Sequence, residues 1–257
     1  MSKIIVICSG KGGVGKTTSS INIASAIKHL GGNVLVIDGN LNTPNLGIHL
    51  NSPEVPVHLN HVLAKKAKLQ EAIYEHHSGL RIIPSSLSIN EMKKVKPEKM
   101  IELRNDLKKL ADYIIIDCSA GLNKDTLSIL QTADEVIIIT NPEMPALTDA
   151  LKTIKITEEL NKPVIGVIVN RVRKDDLETR PNIVKEMLEI PVLGMIPEDL
   201  IVKRALNEKN SVVHAYPRNR VARAYKEIAS DIIGVNYDSN KDRESVVERM
   251  LNKLFRK

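Results

Sequence analysis

Residues 10–18 read Gly-Lys-Gly-Gly-Val-Gly-Lys-Thr-Thr and form the most informative stretch of this 257-residue chain. Gly10 and Gly15 frame the spacing G-x-x-x-x-G-K-T, in which backbone N–H groups unhindered by Cβ atoms converge on phosphate oxygens at the start of a helix. At fixed offsets in that spacing, Lys16 neutralises the β- and γ-phosphates and the Thr17 hydroxyl binds magnesium. The pattern predicts a phosphate-binding loop made of Gly10, Lys11, Gly12, Gly13, Val14, Gly15, Lys16, Thr17 and Thr18.

The sequence on either side of this loop matches what such a loop requires. An apolar run at residues 4–8 precedes it and predicts a strand, and an alanine-rich helical pattern at residues 21–30 follows it. A glycine-rich turn without a function is the alternative, but it does not explain Lys16 and Thr17 at their fixed offsets. Strand, loop and helix therefore occur in the order that a nucleotide site needs.

Lys11 departs from a plain phosphate-binding loop. The run over residues 11–18 resembles the deviant Walker A motif, K-G-G-x-G-K-T-T, of the MinD and ParA superfamily. In that superfamily the first lysine reaches across a dimer interface to the partner's ATP, so the resemblance implies that nucleotide binding and dimerisation are linked. A solvated lysine on an ordinary loop is the alternative.

Two aspartates follow apolar runs and are expected to hold magnesium together with Thr17. Asp38 ends the run at residues 34–37, and residues 38–45 resemble the first switch of the MinD family. A carboxylate at such a strand end can hold magnesium through water. Asp117 ends the run at 113–116 as a Walker B aspartate does, and residues 118–121 resemble the second switch, whose backbone can sense the γ-phosphate. Each aspartate could instead be a helix N-cap or a turn residue.

The chain differs from the MinD pattern at two positions. Asn40 stands where the family usually has a second aspartate that positions or activates the attacking water, and Ser119 stands where it has a proline. Asparagine cannot take a proton, but phosphoryl transfer relies mainly on positioning and charge stabilisation. We therefore expect slow hydrolysis of ATP to ADP and phosphate, with Asn40 prolonging the ATP-bound dimer. The resemblance implies four catalytic residues, Lys11, Lys16, Asp38 and Asn40.

Asn170 and Arg171 end a predicted strand late in the chain. This position resembles the one at which the family reads the adenine edge with an asparagine amide. Pro197, Glu198 and Asp199 are expected to complete that pocket with backbone groups. An asparagine at a strand end is often only a turn former.

The distribution of apolar residues predicts one α/β domain. They make up 42% of the chain, with no Trp and one Phe, which suits a parallel sheet of Ile, Leu, Val and Ala buried on both faces. Apolar runs alternate with helical patterns, which favours a doubly wound sheet with its ligand at the carboxyl ends of the strands. The runs lie at residues 33–38, 80–84, 113–117, 136–140, 164–170 and 192–196.

Together with the resemblance, this pattern predicts a mostly parallel P-loop NTPase fold of the MinD/ParA type. We expect the ATPase domain over residues 1–234, a linker over 235–242 and an amphipathic helix over 243–257. Cys8 and Cys118 are expected to be small buried hydrophobes rather than a disulfide or a metal site.

The end of the chain predicts a membrane-targeting helix. Six apolar residues share one face of a helix, and the opposite face is basic. Such a helix is typical of an interfacial membrane anchor, and it resembles the C-terminal helix of MinD proteins. A helix that caps the chain's own fold or binds a protein partner is the alternative. The six residues are Val246, Val247, Met250, Leu251, Leu254 and Phe255.

The charge of the chain fits an anionic partner. The net charge is +6 and the pI is near 9.2, which suits nucleic acid or a lipid surface, although plain solubility explains these values equally well. The first residues leave no room for a signal peptide, and no apolar run approaches the roughly 18 residues of a membrane span. We therefore expect a cytoplasmic protein, peripherally associated with the inner face of the cell membrane.

Several functions are compatible with these observations. The resemblance favours a homodimeric ATPase, with ATP and Mg²⁺, that binds membrane lipid and positions the division site or another assembly through a regulator protein. A ParA-type partition ATPase that binds DNA non-specifically is the alternative. It is supported by Arg218, Arg220 and Arg223, but the chain lacks interleaved aromatic residues. An iron–sulfur carrier would need exposed paired cysteines, and a non-hydrolysing scaffold rests on Asn40 alone.

Overall fold

The strands form one sheet in a computed structural model, which describes residues 2–52, 54–92, 95–173, 181–239 and 242, without the side chains of residues 181 and 182. The strands are β1 Lys3–Ser9, β2 Val34–Asp38, β3 Tyr74–Glu75, β4 Arg81–Ile83, β5 Tyr113–Ala120, β6 Glu135–Thr140, β7 Val164–Val172 and β8 Val192–Pro197. In these residues the order across the sheet is β3-β4-β2-β5-β1-β6-β7-β8. All neighbours are parallel except β3 and β4, which pair antiparallel at one edge.

Helices connect and cover these strands. The α-helices of the described residues are α1 Lys16–His29, α2 Leu46–His49, α3 Leu59–Leu63, α4 Ile89–Met92, α5 Arg104–Leu107, α6 Lys124–Leu130, α7 Met144–Glu159, α8 Pro181–Leu188, α9 Leu200–Asn207, α10 Val212–Ala215 and α11 Arg220–Ile233. Of two 3₁₀ segments in the described residues, Leu69–Ala72 directly precedes β3 and Pro97–Leu103 lies between β4 and β5 in sequence.

Both faces of the sheet are buried, which explains why its strands are continuous apolar runs rather than alternating patterns. Along β1, Ile4, Val6 and Cys8 belong to one apolar cluster, which includes residues of α6, α7 and α8. Ile5 and Ile7 point the other way and belong to a second cluster with residues of α1, α9 and α11. Both cysteines are free and buried, as predicted. The doubly wound, mostly parallel fold expected from the sequence is confirmed.

The structure corrects the prediction for the end of one strand. β7 continues to Val172, so Asn170 and Arg171 lie inside a strand rather than at its end. The physical reason is pairing with β8, where Val172 is opposite Pro197 after a shift in register. Arg171 accommodates that shift with a left-handed backbone (φ 59°).

The loops that carry the predicted site residues lie side by side at the carboxyl edge of the sheet. Both β1 and β2 pair with β5, and Asp38 at the end of β2 is directly opposite Asp117 in β5. The loop after β1 leads into α1, which begins at Lys16. The fold therefore gathers the phosphate-binding loop and both aspartates in one place.

The predicted linker is fastened to the preceding helix. Residues 235–239 form neither helix nor strand, but the Asp242 carboxylate accepts hydrogen bonds from Lys226 Nζ (2.6 Å) and the Tyr237 hydroxyl (2.7 Å). The predicted amphipathic helix at 243–257 lies outside the described residues. Within those residues, no helix combines the length and apolar character needed to span a bilayer.

Candidate nucleotide site

The phosphate-binding loop needs glycine at three positions for reasons visible in the structure. Gly13 and Gly15 have left-handed backbones, with φ of 80° and 94°, a region that glycine adopts without steric cost. A Cβ on Gly15 would lie 2.1 Å from Asn170 Nδ2, and one on Gly10 would lie 2.3 Å from the carbonyl oxygen of Asp149. Side chains are thus excluded from the loop, which leaves its backbone open to a ligand.

Lys16 and Thr17 are held by the Asp117 carboxylate beneath the loop. Lys16 Nζ lies 3.0 Å from Asp117 Oδ1, the Thr17 hydroxyl donates to Oδ2 at 2.6 Å, and the Ser20 hydroxyl donates to Oδ1 at 3.0 Å. Burial alone would lower the pKa of Lys16, but the Asp117 charge raises it above its ordinary value. The ammonium group is therefore fully charged, as phosphate binding requires.

Asp38 organises the segment that follows β2. This fully buried carboxylate accepts hydrogen bonds from the backbone N–H groups of Asn40 (3.1 Å), Asn45 (3.1 Å) and Leu46 (3.0 Å). Burial and the nearby Asp117 charge raise the pKa of Asp38 to about 7. Asp38 thus acts as a turn residue in the structure. The same turn holds its carboxyl group beside Asp117, the Walker B aspartate. A cation bound there would favour the charged form of Asp38.

Asn40 folds back on its own loop. Its Nδ2 donates to the Thr43 carbonyl, and its Oδ1 accepts from the Thr43 N–H (3.3 Å) and hydroxyl (3.1 Å). Farther along the same segment, Asn42 Nδ2 donates to the Asp125 carboxylate at the start of α6. The first switch segment is therefore held by hydrogen bonds within itself and by one to α6, the helix that follows the second switch segment.

An open cleft of about 600 Å³ lies above these groups. Its walls combine the phosphate-binding loop with both switch segments, and Lys11 is exposed on it. The lining residues are Ser9, Lys11, Gly12, Gly13, Gly15, Lys16, Thr17, Thr18, Asn40, Asn42, Thr43, Asn45, His49, Ser119, Ala120, Asn123 and Arg171. The cleft thus has the composition of a phosphate site.

A second cavity of about 360 Å³ adjoins the loop through Gly15 and Thr18. All five residues predicted to surround adenine line it, together with apolar side chains from α9 and α11. Asn170 Nδ2 donates to the Val14 carbonyl at 2.7 Å, so its amide also supports the phosphate-binding loop. The lining residues beyond Gly15 and Thr18 are Asn170, Arg171, Pro197, Glu198, Asp199, Val202, Lys203, Leu206 and Tyr225.

The residues present also fit a magnesium ion. Thr17, Asp38 and Asp117 contribute a hydroxyl and two carboxylates, and Asp38 and Asp117 come from directly opposed positions on neighbouring strands. Oxygen donors of this kind are the ligands that Mg²⁺ prefers, usually with substrate phosphates and water.

Comparison with known proteins supports this assignment. A family model described as an AAA domain matches residues 2–166. An uncharacterized ATP-binding protein of Methanocaldococcus jannaschii is 40% identical over 99% of this chain and 97% of its own length. The structure of the septum site-determining protein MinD from Pyrococcus horikoshii, complexed with Mg-ADP, is 34% identical and has a TM-score of 0.86, covering 90% of this chain and 96% of that one. The chain belongs to the MinD/ParA superfamily of ATPases.

Within this superfamily the chain resembles MinD proteins in particular. The MinC:MinD cell division protein complex of Aquifex aeolicus contains a chain with a TM-score of 0.83 and 28% identity, covering 92% of this chain and 98% of that one. The similarity to this MinD chain therefore extends over nearly the whole length of both chains.

Sequence reasoning missed some residues of this MinD-type site. Ser20 could have been found, because it lies four residues after Lys16 on the same helix face. His49 lines the cleft, and its Nδ1 is buried without a hydrogen-bond partner among the described residues. Nothing in the sequence pointed to His49, because the short helix α2 that carries it has no clear periodicity.

Proposed function

We propose that this protein is an ATP-dependent, dimerising ATPase of the MinD type. In its ATP state it binds the inner face of the cell membrane, and it positions the division site or another assembly through a regulator protein. The observation that carries the proposal is Lys11, an exposed lysine on the cleft of a complete phosphate-binding loop. From there its side chain can extend toward a second copy facing the cleft.

The arrangement of charges supports ATP hydrolysis. The backbone of the loop and Lys16 would hold the phosphates, and the second cavity would hold adenine. Thr17, Asp38 and Asp117 would hold Mg²⁺, which neutralises charge at the phosphates when bound. Asn40 lines the cleft and can orient a water molecule but cannot accept its proton, so we infer slow hydrolysis and a long-lived dimer.

Membrane binding is proposed for the dimer because one tail attaches only weakly. Full burial of a large apolar side chain contributes about 1.5–3 kcal/mol, but an interfacial helix inserts partly and must first be ordered. Basic residues near an anionic leaflet add about 1 kcal/mol each. Joining two tails raises avidity by roughly 10²–10⁴-fold without new contacts, so dimerisation would switch membrane residence on.

The test compares oligomeric state and vesicle binding in ATP and in ADP. We expect the full chain to be a dimer with ATP and Mg²⁺ and a monomer with ADP, by light scattering after size-exclusion chromatography. Sedimentation with anionic vesicles is expected to recover the full chain with ATP only. A chain ending at Asp242 should dimerise but remain in the supernatant.

Lys11→Ala supplies the matched control for the dimer. This variant should bind ATP yet remain monomeric and unbound to vesicles, because the loop backbone and Lys16 are unchanged. A wild-type chain that stays monomeric in saturating ATP and Mg²⁺ would refute the dimer. Equal vesicle binding by the full and shortened chains would refute the membrane anchor.

The structure gives less support to DNA binding. Arg220 of the basic cluster is paired with Asp199 (3.0 Å) and donates to the Glu198 carbonyl (2.7 Å), and Arg223 Nε is buried. Arg220 is thus already paired with a carboxylate and Arg223 is partly buried, so two of the three arginines are less available to DNA phosphates than an unpaired exposed cluster would be. Retention of the ATP-bound protein on duplex DNA, with a steep salt dependence, would favour the ParA-type alternative.

A further inference from the structure

Two histidines and a glutamate converge outside the nucleotide site. His58 Nε2 lies 2.7 Å from Glu91 Oε2, and His61 Nε2 lies 3.0 Å from Glu91 Oε1. The imidazole rings are stacked, with centroids 3.9 Å apart. Among the described residues, this is the only group of at least three His, Cys, Asp or Glu side chains whose metal-binding atoms all lie within 4.8 Å of one another.

The fold holds these side chains in place from two directions. His58 directly precedes α3 and His61 lies one turn later, so both rings leave the same face of that segment. Glu91 comes from α4 and also accepts a hydrogen bond from the Ser86 hydroxyl. His58 is only 6% exposed, whereas His61 and Glu91 are partly open to solvent, which leaves an entry path.

The surrounding backbone keeps the two segments together. The Leu59 N–H donates to the Pro84 carbonyl (2.9 Å), and the Ser86 N–H donates to Asn60 Oδ1 (2.8 Å). His58 Nδ1 is buried and has no hydrogen-bond partner among the described residues. The orientation of this ring therefore depends on its stacking with His61 and on the contact of Nε2 with Glu91.

We propose that His58, His61 and Glu91 bind a zinc ion. Two imidazole nitrogens and one carboxylate are a donor set that zinc uses in proteins, with distances of about 2.0–2.2 Å and a fourth position for water. The present spacing of the donor atoms accommodates this by small rotations of three side chains. Oxygen-only sites favour magnesium instead, so this cluster and the nucleotide site would select different ions.

The location gives the ion a structural consequence. Zinc would join α3 to α4 across the segment after β4. That segment contains Ser85, whose hydroxyl donates to the Asp38 carbonyl at 2.7 Å. The zinc site is therefore linked, through one short segment, to the base of the first switch.

The test measures zinc binding by the nucleotide-free full chain. Zinc is added in the presence of excess Mg²⁺, which competes for the oxygen donors of the nucleotide site, and its affinity is read by competition with a chromophoric chelator. We expect one zinc ion per wild-type chain and an affinity more than about 100-fold lower in Glu91→Gln and in His61→Ala, because even outer-shell partners of metal ligands change affinity 10–100-fold. Circular dichroism checks that both variants are folded.

His77→Ala is the matched control, because His77 is an exposed histidine that contacts Asn210 and His214 and is not part of the cluster, so its loss should leave zinc binding unchanged. A second readout needs no variant at all: Co²⁺ added to the wild-type chain should give visible d–d bands that zinc then removes. Failure of the wild-type chain to bind zinc, or retention of wild-type affinity by either Glu91→Gln or His61→Ala, would overturn the proposal. None of these results depends on ATP binding, dimerisation or membrane attachment.

Discussion

Gly15 shows at the scale of one residue how the loop constrains its sequence. Its backbone is left-handed, and the space where a Cβ would lie is filled by the Asn170 amide. That amide in turn supports the loop through the Val14 carbonyl. One position therefore couples the loop to the wall of the second cavity.

Gly15→Ala is expected to destabilise the protein by about 1–3 kcal/mol through backbone strain, with a further loss of nucleotide affinity because Asn170 must move. Urea denaturation and nucleotide titration measure the two effects. Gly12→Ala is the control for stability: no atom lies within 4 Å of its Cβ position, and the change should stay within about 0.5 kcal/mol. Equal destabilisation by both variants would show that crowding at Gly15 has no effect.

Asn40→Asp is expected to hydrolyse bound ATP faster in a single turnover. The new carboxylate could accept a proton from water, which we expect to raise the hydrolysis rate by up to about 10²-fold. This is the low end for a general base, because phosphoryl transfer depends mainly on positioning. Asn45→Asp places the same charge on the same loop and serves as the control. Equal rates in wild type and Asn40→Asp would rule out a role for Asn40 in prolonging the ATP state.

Among the elements, β1 is anchored at its start by the turn before β6. Asp134 accepts hydrogen bonds from the Ile4 N–H (2.8 Å) and from Lys108 Nζ (2.9 Å), and Arg104 donates to it as well. Burial alone would raise the pKa of Asp134, but these hydrogen bonds and charges hold it below its ordinary value of 3.8. Strand β1 and the segment around α5 thus share one ionised carboxylate.

Asp134→Asn is expected to lower the free energy of unfolding by about 1–3 kcal/mol at pH 7. Because the folded-state pKa is the lower one, the stabilisation is present above the ordinary pKa and is lost as pH falls through the folded value. Denaturation curves from pH 7 to pH 2 should therefore converge for the two proteins. Asp106→Asn removes an exposed ion pair with Lys109 and should keep the free energy of unfolding within about 0.5 kcal/mol of wild type. A difference in unfolding free energy between wild type and Asp134→Asn that does not change with pH would contradict this account.

Elements were predictable where they are long and buried. The apolar runs identified the larger strands, and the offsets in residues 10–18 placed α1 next to the loop. The two-residue strand β3 and the short helices α2 to α5 escaped prediction, because so few residues show no period. The end of β7 was misjudged because pairing with β8, and not local sequence, carries it past Arg171.

At the scale of the whole molecule, the site residues come from strands that are distant in sequence and adjacent in the sheet. Lys16, Thr17 and Asp117 were predictable because each sits at a fixed offset in a motif. The contact of Asn170 with Val14 and the apolar wall around Tyr225 were not, because they arise only when β7, α9 and α11 pack against the loop.

The last described stretch of chain is tied to the body of the fold by a buried lysine. Lys226 is 1% exposed, and its Nζ contacts the Pro217 carbonyl (3.0 Å) and the Asp242 carboxylate (2.6 Å). Removing the Asp242 carboxylate leaves the buried Lys226 ammonium without its partner. Replacing Lys226 by an apolar residue removes the buried charge itself. The segment before residues 243–257 is thus held at α11.

Asp242→Ala is expected to destabilise the protein by about 1–3 kcal/mol, less than for a fully buried pair because Asp242 is 31% exposed. Lys226→Met should leave the free energy of unfolding roughly unchanged, and adding Asp242→Ala to it should then have little further effect. A double-mutant cycle by urea denaturation measures this coupling. Additive effects of the two substitutions would show that the contact contributes nothing.

The grip of Asp117 on Lys16, Thr17 and Ser20 has one more consequence. A bound triphosphate would offer the Lys16 ammonium a second anionic partner, and Asp117 serves as its partner while the loop is empty. In the empty loop, the buried Lys16 ammonium is therefore paired with a carboxylate and does not destabilise the fold as an unpaired charge would. The nucleotide-free loop can therefore keep its folded arrangement until a ligand binds.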